Sequence, residues 1–365
     1  MGRVLESANL HPSPKRRRYL ILSPGEFATN AKTAHGVIRY GHDQTVAVID
    51  ADNAGKTVHD VLSYLKSDTP IVADVESGLK YDPTSLLIGV APVGGALPPS
   101  WRGEILKAID AKLEIVSGLH ELIADDSEFS AAAKRSGSRI WDVRVPPQVP
   151  LFSGAAYNVR QPILLTVGSD CAVGKLTVSL EIARAAREHG VRARVAPTGQ
   201  TGIMIEGWGI CIDRVISDFA PGAAEALVLE AAKDSELIVV EGQGAINHPA
   251  YAPVTLALLY GTAPDALLLV GDPTRATLEG GFATPRLSWG KLIEVYEELA
   301  STVKPAKVVG IALNTFQLTD REARSEIERA RAETSLPVDD VVRNGPEALY
   351  EAIAPQLSKR SQLVA

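Results

Sequence analysis

The sequence predicts an α/β protein of two domains, each built on a mostly parallel sheet, with a P-loop in the second domain. Three observations lead to this prediction. Short apolar, β-rich runs alternate with helix-like patterns, which is typical of parallel strands covered by helices on both faces. A proline-rich stretch, Val145-Pro-Pro-Gln-Val-Pro, interrupts the pattern. In the second half, a glycine turn ending in Gly174-Lys175 follows a strand-like run.

The size and composition favour a globular protein that binds a small molecule. The chain has 365 residues, enough for two domains, and is 45% hydrophobic and 22% charged, an ordinary balance. A net charge of −7 argues against a nucleic-acid partner and against an anionic membrane surface. The basic run Lys15-Arg-Arg-Arg is interpreted as a solvated arm.

The cysteine count and the shortness of the apolar runs point to the cytoplasm. Cys171 and Cys211 do not make a disulfide framework, and no segment has the pattern of a signal peptide or a membrane span. We therefore expect a cytoplasmic homo-oligomer with no membrane partner.

The first domain, residues 1–150, shows five strand-like runs with helix-like patterns at Thr57–Leu65 and Trp101–Asp110. Gly55-Lys56-Thr57 resembles the end of a P-loop but lacks the upstream glycine, so we interpret it as a helix start. Ligands of such sheets bind at the carboxyl ends of the strands. The predicted strands are 18–23, 45–50, 70–74, 85–91 and 112–117, and the loops at those ends are 50–57, 74–78 and 91–98.

The second domain, residues 151–365, follows the proline-rich linker, with the boundary near 146–158. A last helix begins at Pro346 and is expected to end near Ala354, because Pro355 would stop it. Strands are expected at 163–167, 193–197, 237–240, 266–270, 307–313 and, briefly, from Pro337. The helices that fit between them are 175–189, 221–233, 253–260, 288–301 and 319–333.

The glycine turn is the most informative feature for function. Its backbone amides and the following helix N-terminus would surround a phosphate, and Lys175 would add a cation. The turn departs from the common P-loop, because five residues separate Gly168 from Gly174 and Leu176 takes the place of the Mg²⁺-binding hydroxyl, which moves to Thr177. Phosphate binding is the expectation for this turn, and its alternative is a glycine turn that only packs the helix on the strand. Magnesium-dependent ATP turnover is a separate expectation. The predicted cofactor-binding residues are Gly168, Ser169, Asp170, Cys171, Ala172, Val173, Gly174, Lys175, Leu176 and Thr177.

Two further loops carry groups that could contact a ligand. Glu241 ends the strand 237–240 and could orient Mg²⁺, or it could be a capped loop carboxylate. The run Thr198-Gly-Gln-Thr-Gly offers small polar donors, although a tight turn would have the same composition. The predicted substrate-binding residues in that run are Thr198, Gly199, Gln200, Thr201 and Gly202.

Four more side chains are candidates for chemistry. His248 could act as a general base, and Asp218 is a further catalytic candidate. Arg275 could bind a carboxylate or phosphate bidentately. Cys171 could carry an acyl group, because a helix N-terminus lowers a thiol pKa. Each has an ordinary structural explanation: a solvated histidine or acid, a surface arginine, and a small side chain that fills space.

The P-loop region resembles the dethiobiotin synthetase branch of P-loop proteins. That branch also separates its glycines by five residues and has a Glu-Gly motif on a later strand, here Val240-Glu-Gly-Gln-Gly. The resemblance implies an ATP- and Mg²⁺-dependent ligase or kinase. The chain departs from the branch at Leu176 and in lacking a lysine after Pro197-Thr-Gly-Gln, which argues against dethiobiotin synthesis itself.

A second resemblance covers nearly the whole chain. Motifs such as Ala196-Pro-Thr-Gly-Gln-Thr-Gly-Ile-Met-Ile and Val240-Glu-Gly-Gln-Gly-Ala-Ile-Asn-His-Pro are similar to a two-domain family long of unknown function. The resemblance implies an N-terminal Rossmann-like domain and a C-terminal P-loop domain. Its characterised members are D-glutamate N-acetyltransferases that use acetyl-CoA.

The family resemblance implies that the P-loop holds the CoA phosphates without a metal. The base would be Glu241 or His248, the oxyanion donors would be amides from Gly199 to Gly202, and Arg275 or Arg39 would bind the substrate carboxylates. Two other functions stay open: the ATP/Mg ligase or kinase, and a nucleotide-binding module without turnover.

Overall fold

The computed structural model describes residues 16–92 and 95–357, and contacts divide the chain into two compact units. The first unit is Met1–Pro146 together with Gln200–Cys211, and the second is Pro147–Gly199 together with Ile212–Ala365. The sequence pattern did not indicate that a segment after residue 199 groups with the first unit. Lys15 and two residues of the loop 91–98 lie outside the described residues.

The first unit is an α/β fold on one parallel sheet. Its strands are β1 (Arg18–Leu22), β2 (Gln44–Ile49), β3 (Ile71–Val72), β4 (Ser85–Ile88), β5 (Glu114–Ser117) and β6 (Ile140–Asp142). Helices α1 (Lys32–Tyr40), α2 (Val58–Val61), α3 (Val75–Gly78), α4 (Arg102–Asp110) and α5 (Ser127–Ser136) lie between them. The strands are ordered β3-β2-β1-β4-β5-β6, the order of a Rossmann-like fold, so the predicted class of this domain is confirmed.

Four elements between residues 18 and 142 were not predicted: α1, α3, α5 and β6, with α3 in the stretch 74–78 that was expected to be a loop. Helix α5 starts after Asp126, whose carboxylate accepts hydrogen bonds from the amides of Glu128 and Phe129 at 2.9 and 3.2 Å. The expected helix 57–65 is only one turn, α2. Thr57 is its N-cap and forms a capping box with Asp60, which confirms the interpretation of Gly55-Lys56-Thr57 as a helix start.

Two residues of the basic run, Arg17 and Arg18, do not belong to a solvated arm, whereas Arg16 is exposed. The side chain of Arg17 is buried, its Nε donates to Glu114 Oε2 at 2.6 Å, and its guanidinium lies 4.5 Å from the Trp141 ring centre. Arg18 belongs to β1 and donates to the carbonyl of Asp82 at 2.7 Å. The interpretation was wrong for Arg17 because an arginine can be buried once a carboxylate and an aromatic face receive it. It was wrong for Arg18 because the carbonyls of Tyr81 and Asp82 hold its guanidinium.

The second unit is also an α/β fold on one parallel sheet. Its strands are β7 (Ile163–Gly168), β8 (Ala193–Ala196), β9 (Leu237–Val240), β10 (Ala266–Gly271), β11 (Lys307–Leu313) and β12 (Val338–Asp339). The helices of this half are α6 (Lys175–Glu188), α7 (Gln200–Glu206), α8 (Ala220–Ala231), α9 (Ala252–Gly261), α10 (Trp289–Ser301), α11 (Asp320–Thr334) and α12 (Glu347–Leu357). Of these, α7 groups with the first unit.

Strand β7 lies in the interior of the second sheet, whose order is β12-β11-β10-β7-β9-β8. Every residue of β7 and of its neighbour β10 is buried, which is expected for parallel strands covered on both faces. Since all strand pairs are parallel, the loops after β7, β8, β9 and β10 leave the same edge of the sheet. The predicted strands of this domain are confirmed.

The expected end of the last helix was wrong. Helix α12 continues through Pro355 to Leu357 within the described residues. A proline near a helix end removes one hydrogen bond of the last turn. The burial of Ile353 and Leu357 offsets that loss. None of the helices in the described part of the chain combines the length and the apolar character needed to cross a membrane.

Candidate functional site

The turn after β7 forms a cradle for an anion. Gly174, with φ of +104°, is the N-cap of α6, and Ala172 also has a positive φ of 51°. In the described part of the chain, the amides of Ala172, Val173 and Gly174 donate to no backbone carbonyl outside the helix ladder. Unpaired amides in such a turn, at the N-terminus of a long helix, favour a bound phosphate.

Lys175 lies folded over this turn. Its Nζ donates to the carbonyl of Asp170 at 2.8 Å, and a Cβ added to Gly168 would lie 2.6 Å from the same Nζ. The same Cβ would lie 2.7 Å from the backbone carbonyl oxygen of Asp170, which cannot swing aside, so only glycine fits at position 168. Burial lowers the pKa of Lys175 to about 8. At neutral pH the ammonium is still mostly charged, and it could bind a phosphate that enters the turn.

Three other residues of the predicted phosphate loop show no direct role. The hydroxyl of Ser169 is buried and has no hydrogen-bond partner among the described residues, while its amide donates to the Val270 carbonyl at 2.8 Å. Leu176 and Thr177 are half-buried in the first turn of α6.

Glu241 ties together the loops that follow β8 and β9. Its Oε2 accepts hydrogen bonds from the amides of Thr198 and Gly199 at 2.9 and 3.1 Å, and its Oε1 accepts one from Gln243 Nε2 at 3.0 Å. Burial raises the pKa of Glu241 to about 7, although the amide hydrogen bonds and the charge of Lys175 lower it. We expected the Gly199 amide to be an oxyanion donor. The structure contradicts this, because that amide already donates to Glu241.

Asp170 is the most connected side chain of the turn. It is buried and accepts hydrogen bonds from the Cys171 amide at 2.7 Å and the Glu279 amide at 2.8 Å. Arg275 Nη1 donates to Asp170 Oδ2 and to the Cys171 carbonyl, both at 2.8 Å, and lies 3.0 Å from Glu279 Oε2. Arg275 therefore holds the phosphate turn in place, a role that the sequence did not indicate.

His248 is fully buried and both of its ring nitrogens are occupied. The Glu279 carbonyl lies 3.1 Å from Nε2 and can only accept, so Nε2 carries the proton; Nδ1 accepts from the Ala250 amide at 3.2 Å. The ring stacks on Tyr251 with centroids 4.7 Å apart. This environment gives His248 a structural role in holding Glu279, rather than a free lone pair for a general base.

Asp170, Cys171 and His248 form a cluster in which one ligand atom from each lies within 4.8 Å of the others. The spacing would suit a metal ion, which the sequence analysis did not expect. Asp170 and His248 are already engaged with the protein, and burial raises the pKa of Cys171 to about 11. The thiol is therefore protonated at neutral pH, unlike a reactive cysteine.

The remaining predicted site residues lie on other elements, each described here within its own unit. Asp218 is exposed in a 3₁₀ turn just before α8. Arg39 ends α1 in the first unit, where its guanidinium lies 5.1 Å from the Tyr40 ring centre. Gln200, Thr201 and Gly202 form the first turn of α7 in the first unit rather than a loop, and the Thr201 hydroxyl lies 3.0 Å from that of Thr33.

Two functional supports escaped the sequence analysis. The buried hydroxyl of Tyr296 donates to the Gly168 carbonyl at 2.7 Å and accepts from the Ile246 amide at 3.1 Å, so it ties the P-loop to the loop after β9. Glu279 lies in a short hairpin, residues 276–286, next to Gly280 and Gly281. The paired glycines were a signal for a turn, but nothing in the sequence placed that turn beside the P-loop.

Comparison with known proteins supports the two-domain interpretation. Residues 150–350 match the profile described as "Domain of unknown function (DUF1611_C) P-loop domain", and residues 51–146 match "Domain of unknown function (DUF1611_N) Rossmann-like domain". The chain is also similar to a crystal structure of a DUF1611 family protein from Anabaena variabilis. That structure is 37% identical, has a TM-score of 0.88 and matches 93% of this chain and 100% of its own.

Two relatives carry the name of an activity. A protein from Tritonibacter scottomollicae named D-glutamate N-acetyltransferase is 36% identical over 74% of this chain and 81% of its own length. One of the same name from a Pseudoalteromonas species is 35% identical over 73% of this chain and 80% of its own length. Profile, fold and relatives confirm the resemblance seen in the motifs, and the chain belongs to the DUF1611 family.

Proposed function

We propose that the protein is an N-acetyltransferase that moves an acetyl group from acetyl-CoA to the amine of an acidic amino acid such as D-glutamate. The observation that carries the proposal is the name that both relatives share, at 36% and 35% identity over about three quarters of the chain. The family profiles are described as domains of unknown function, so the activity is suggested only by the names of these two relatives.

The P-loop supports this proposal as the site for the phosphate end of the cofactor. Coenzyme A carries a diphosphate, which the unpaired amides of Ala172, Val173 and Gly174 and the ammonium of Lys175 would bind. Binding of this kind requires no hydrolysis and no Mg²⁺. Leu176 in place of the usual hydroxyl is therefore a smaller loss for a CoA enzyme than for an ATPase.

The roles of Glu241 and His248 change in this proposal. The thioester of acetyl-CoA lies at the far end of the pantetheine arm from the diphosphate. Glu241, on which the charge of Lys175 acts, and His248, which clusters with Asp170 and Cys171, are therefore suited to the phosphate end of the site rather than to deprotonating the amine. Glu241 would fix the loops around the phosphates, and His248 would fix the hairpin 276–286.

The test is an acetylation assay on the full chain. Acetyl-CoA is supplied with D-glutamate, L-glutamate, D-aspartate or L-aspartate, and both free CoA and the N-acetyl product are measured. We expect product with an acidic amino acid, and its loss in Lys175→Ala. Lys291→Ala is the matched control, because Lys291 is an exposed lysine paired with Glu294 on α10.

A parallel experiment separates the competing ATP-dependent function. Ligand at about 100 times Kd stabilises a protein by roughly 2.7 kcal/mol, which a thermal shift detects. We expect a shift with acetyl-CoA. A shift with Mg-ATP alone, with no acetyl product from any of the four amino acids, would remove the acetyltransferase proposal in favour of a ligase or kinase.

A further inference from the structure

Two aromatic residues near the phosphate turn leave much of their surface exposed. Tyr251 is 52% exposed and Phe282 is 37% exposed. Both rings pack on the buried ring of His248: Tyr251 stacks on its face with the ring centres 4.7 Å apart, and Phe282 meets it edge-on at 5.2 Å. Since His248 covers one face of the Tyr251 ring, the surface that Tyr251 exposes lies at its edge and on the opposite face.

Tyr251 lies close to the phosphate turn, and both belong to the second unit. A Cβ added to Gly168 would lie 3.1 Å from the Gly244 carbonyl oxygen, and a Cβ added to Gly244 would lie 3.1 Å from the Tyr251 Cβ. Gly244 therefore lies between the start of the turn and Tyr251. A ring nitrogen of His248 also lies within 4.8 Å of the Cys171 sulfur, in the middle of the turn.

Phe282 is positioned by the hairpin 276–286, which is fixed to the same turn. The Glu279 amide donates to Asp170 Oδ2 at 2.8 Å, and the Glu279 carbonyl accepts from His248 Nε2 at 3.1 Å. The two exposed rings are therefore held in place before any ligand arrives. A preformed surface binds a flat ligand without the entropy cost of ordering its side chains.

The chemistry of this surface favours one kind of group. Aromatic rings offer a phosphate or a carboxylate no ionic partner, whereas the flat face of a nucleotide base stacks on them. In an adenine nucleotide, one ribose separates the base from the first phosphate. A ligand held by the turn therefore carries its base to a surface next to the turn.

We propose that Tyr251 and Phe282 bind the adenine ring of the ligand whose phosphates occupy the turn. The base would stack on the face of Tyr251 opposite His248, and Phe282 would border it. The proposal rests on the proposed function only for the identity of the ligand, because coenzyme A and ATP both carry adenine. It gives these two residues a share of the affinity that the turn amides and Lys175 do not supply.

The experiment compares ligands with and without a base on the full chain. Calorimetry gives the affinities for coenzyme A and for ADP with Mg²⁺. Inorganic pyrophosphate, which has the diphosphate but no base, is measured by its displacement of the ligand that binds. In Tyr251→Leu we expect that ligand to bind about 5- to 100-fold more weakly, while pyrophosphate keeps its wild-type affinity. Phe282→Leu should act in the same direction with a smaller effect, because Phe282 only borders the base.

Two further variants separate stacking from other effects of the substitution. Tyr251→Phe keeps the ring and loses only the hydroxyl, so it should keep the wild-type affinity for every ligand. Phe316→Leu is the matched control, because it removes an exposed aromatic ring from a different loop, the one after β11. It should leave all three affinities unchanged.

Four results would overturn the base site. They are an unchanged affinity in Tyr251→Leu, an equal loss of pyrophosphate binding in that variant, a loss in Phe316→Leu instead, and a wild type that binds neither coenzyme A nor ADP. The acetylation assay is read separately. An acetyl product together with an unchanged affinity in Tyr251→Leu would contradict the base site and leave the proposed reaction standing. A loss confined to the ligands with a base, with no acetyl product, would support the base site and contradict the reaction.

Discussion

The buried carboxyl of Glu241 should make the free energy of unfolding of the second unit depend on pH. Its pKa is about 7 in the folded protein against an ordinary 4.5, so between these values the folded state binds more protons than the unfolded state. The free energy of unfolding must then fall as pH rises from about 4.5 to about 7. At about 1.4 kcal/mol for each pKa unit, the loss approaches 3 kcal/mol.

Glu241→Gln removes this titration and keeps the size of the side chain. The glutamine oxygen can still accept from the Thr198 and Gly199 amides, but its NH₂ would face the NH₂ of Gln243, at a cost of about 1 kcal/mol. We therefore expect the stability difference between wild type and variant to move by up to about 3 kcal/mol over this pH range, in favour of the variant at higher pH.

Amide hydrogen exchange in β7 and β9 is the suitable assay. It reports the opening free energy of the second unit directly and does not require the two units to unfold in one step. Measurements at pH 5, 6 and 7 on both proteins give the slope. A difference between wild type and variant that is the same at every pH would refute the argument, because it would mean that Glu241 does not titrate in this range.

Three further substitutions test the framework of the turn. Gly168→Ala would place a Cβ 2.6 Å from Lys175 Nζ, and calorimetry should show CoA binding weakened at least about tenfold. Arg275→Ala would leave Asp170 buried without its cation, and chemical denaturation should show a loss of about 3 kcal/mol. Tyr296→Phe would leave the Gly168 carbonyl without its donor, which should cost about 1–3 kcal/mol in the same measurement.

Each of these substitutions has a matched control. Gly103→Ala adds a Cβ on α4 that meets nothing within 4 Å, and it should leave binding unchanged. Tyr260→Phe removes a hydroxyl whose partner, Thr302, lies 3.3 Å away near the surface. If Tyr296→Phe were no more costly than Tyr260→Phe, the tie between the P-loop and the loop after β9 would not contribute to stability.

The sequence was most informative where burial alone decides the structure. All strands of the two sheets except β6 were predicted, because parallel strands covered on both faces must be continuously apolar, as β7 and β10 are. Strand β6 has only three residues, two of them half-buried. The glycine turn was predicted because positive φ and close approach restrict the residue type, as at Gly168 and Gly174. These are local signals that need no knowledge of distant contacts.

The candidate site was predicted less well, because its side chains act through partners far away in the sequence. The structural role of Arg275 was not predicted, because its partner Asp170 lies 105 positions earlier, and ligand binding by Arg275 stays a prediction. His248 was interpreted as a base, but the Glu279 carbonyl that fixes its tautomer is 31 positions later. Residue type and loop position limit what a side chain can do, while the partner decides what it does.

The path of the chain at Gly199 has a consequence for dissecting the protein. The chain enters the first unit at Gln200 and returns to the second at Ile212, so neither unit is one continuous stretch of polypeptide. Ile203, Met204 and Ile205 of α7 are buried, and α7 packs on α1. A fragment starting at residue 147 would carry these apolar side chains with no surface to cover them, and we expect it to aggregate on expression. A gene recombined at residue 147 would encode a second part whose α7 has no α1 to pack on, and we expect its product not to fold. The coding regions for residues 1–146 and 147–365 are therefore expected to be inherited together.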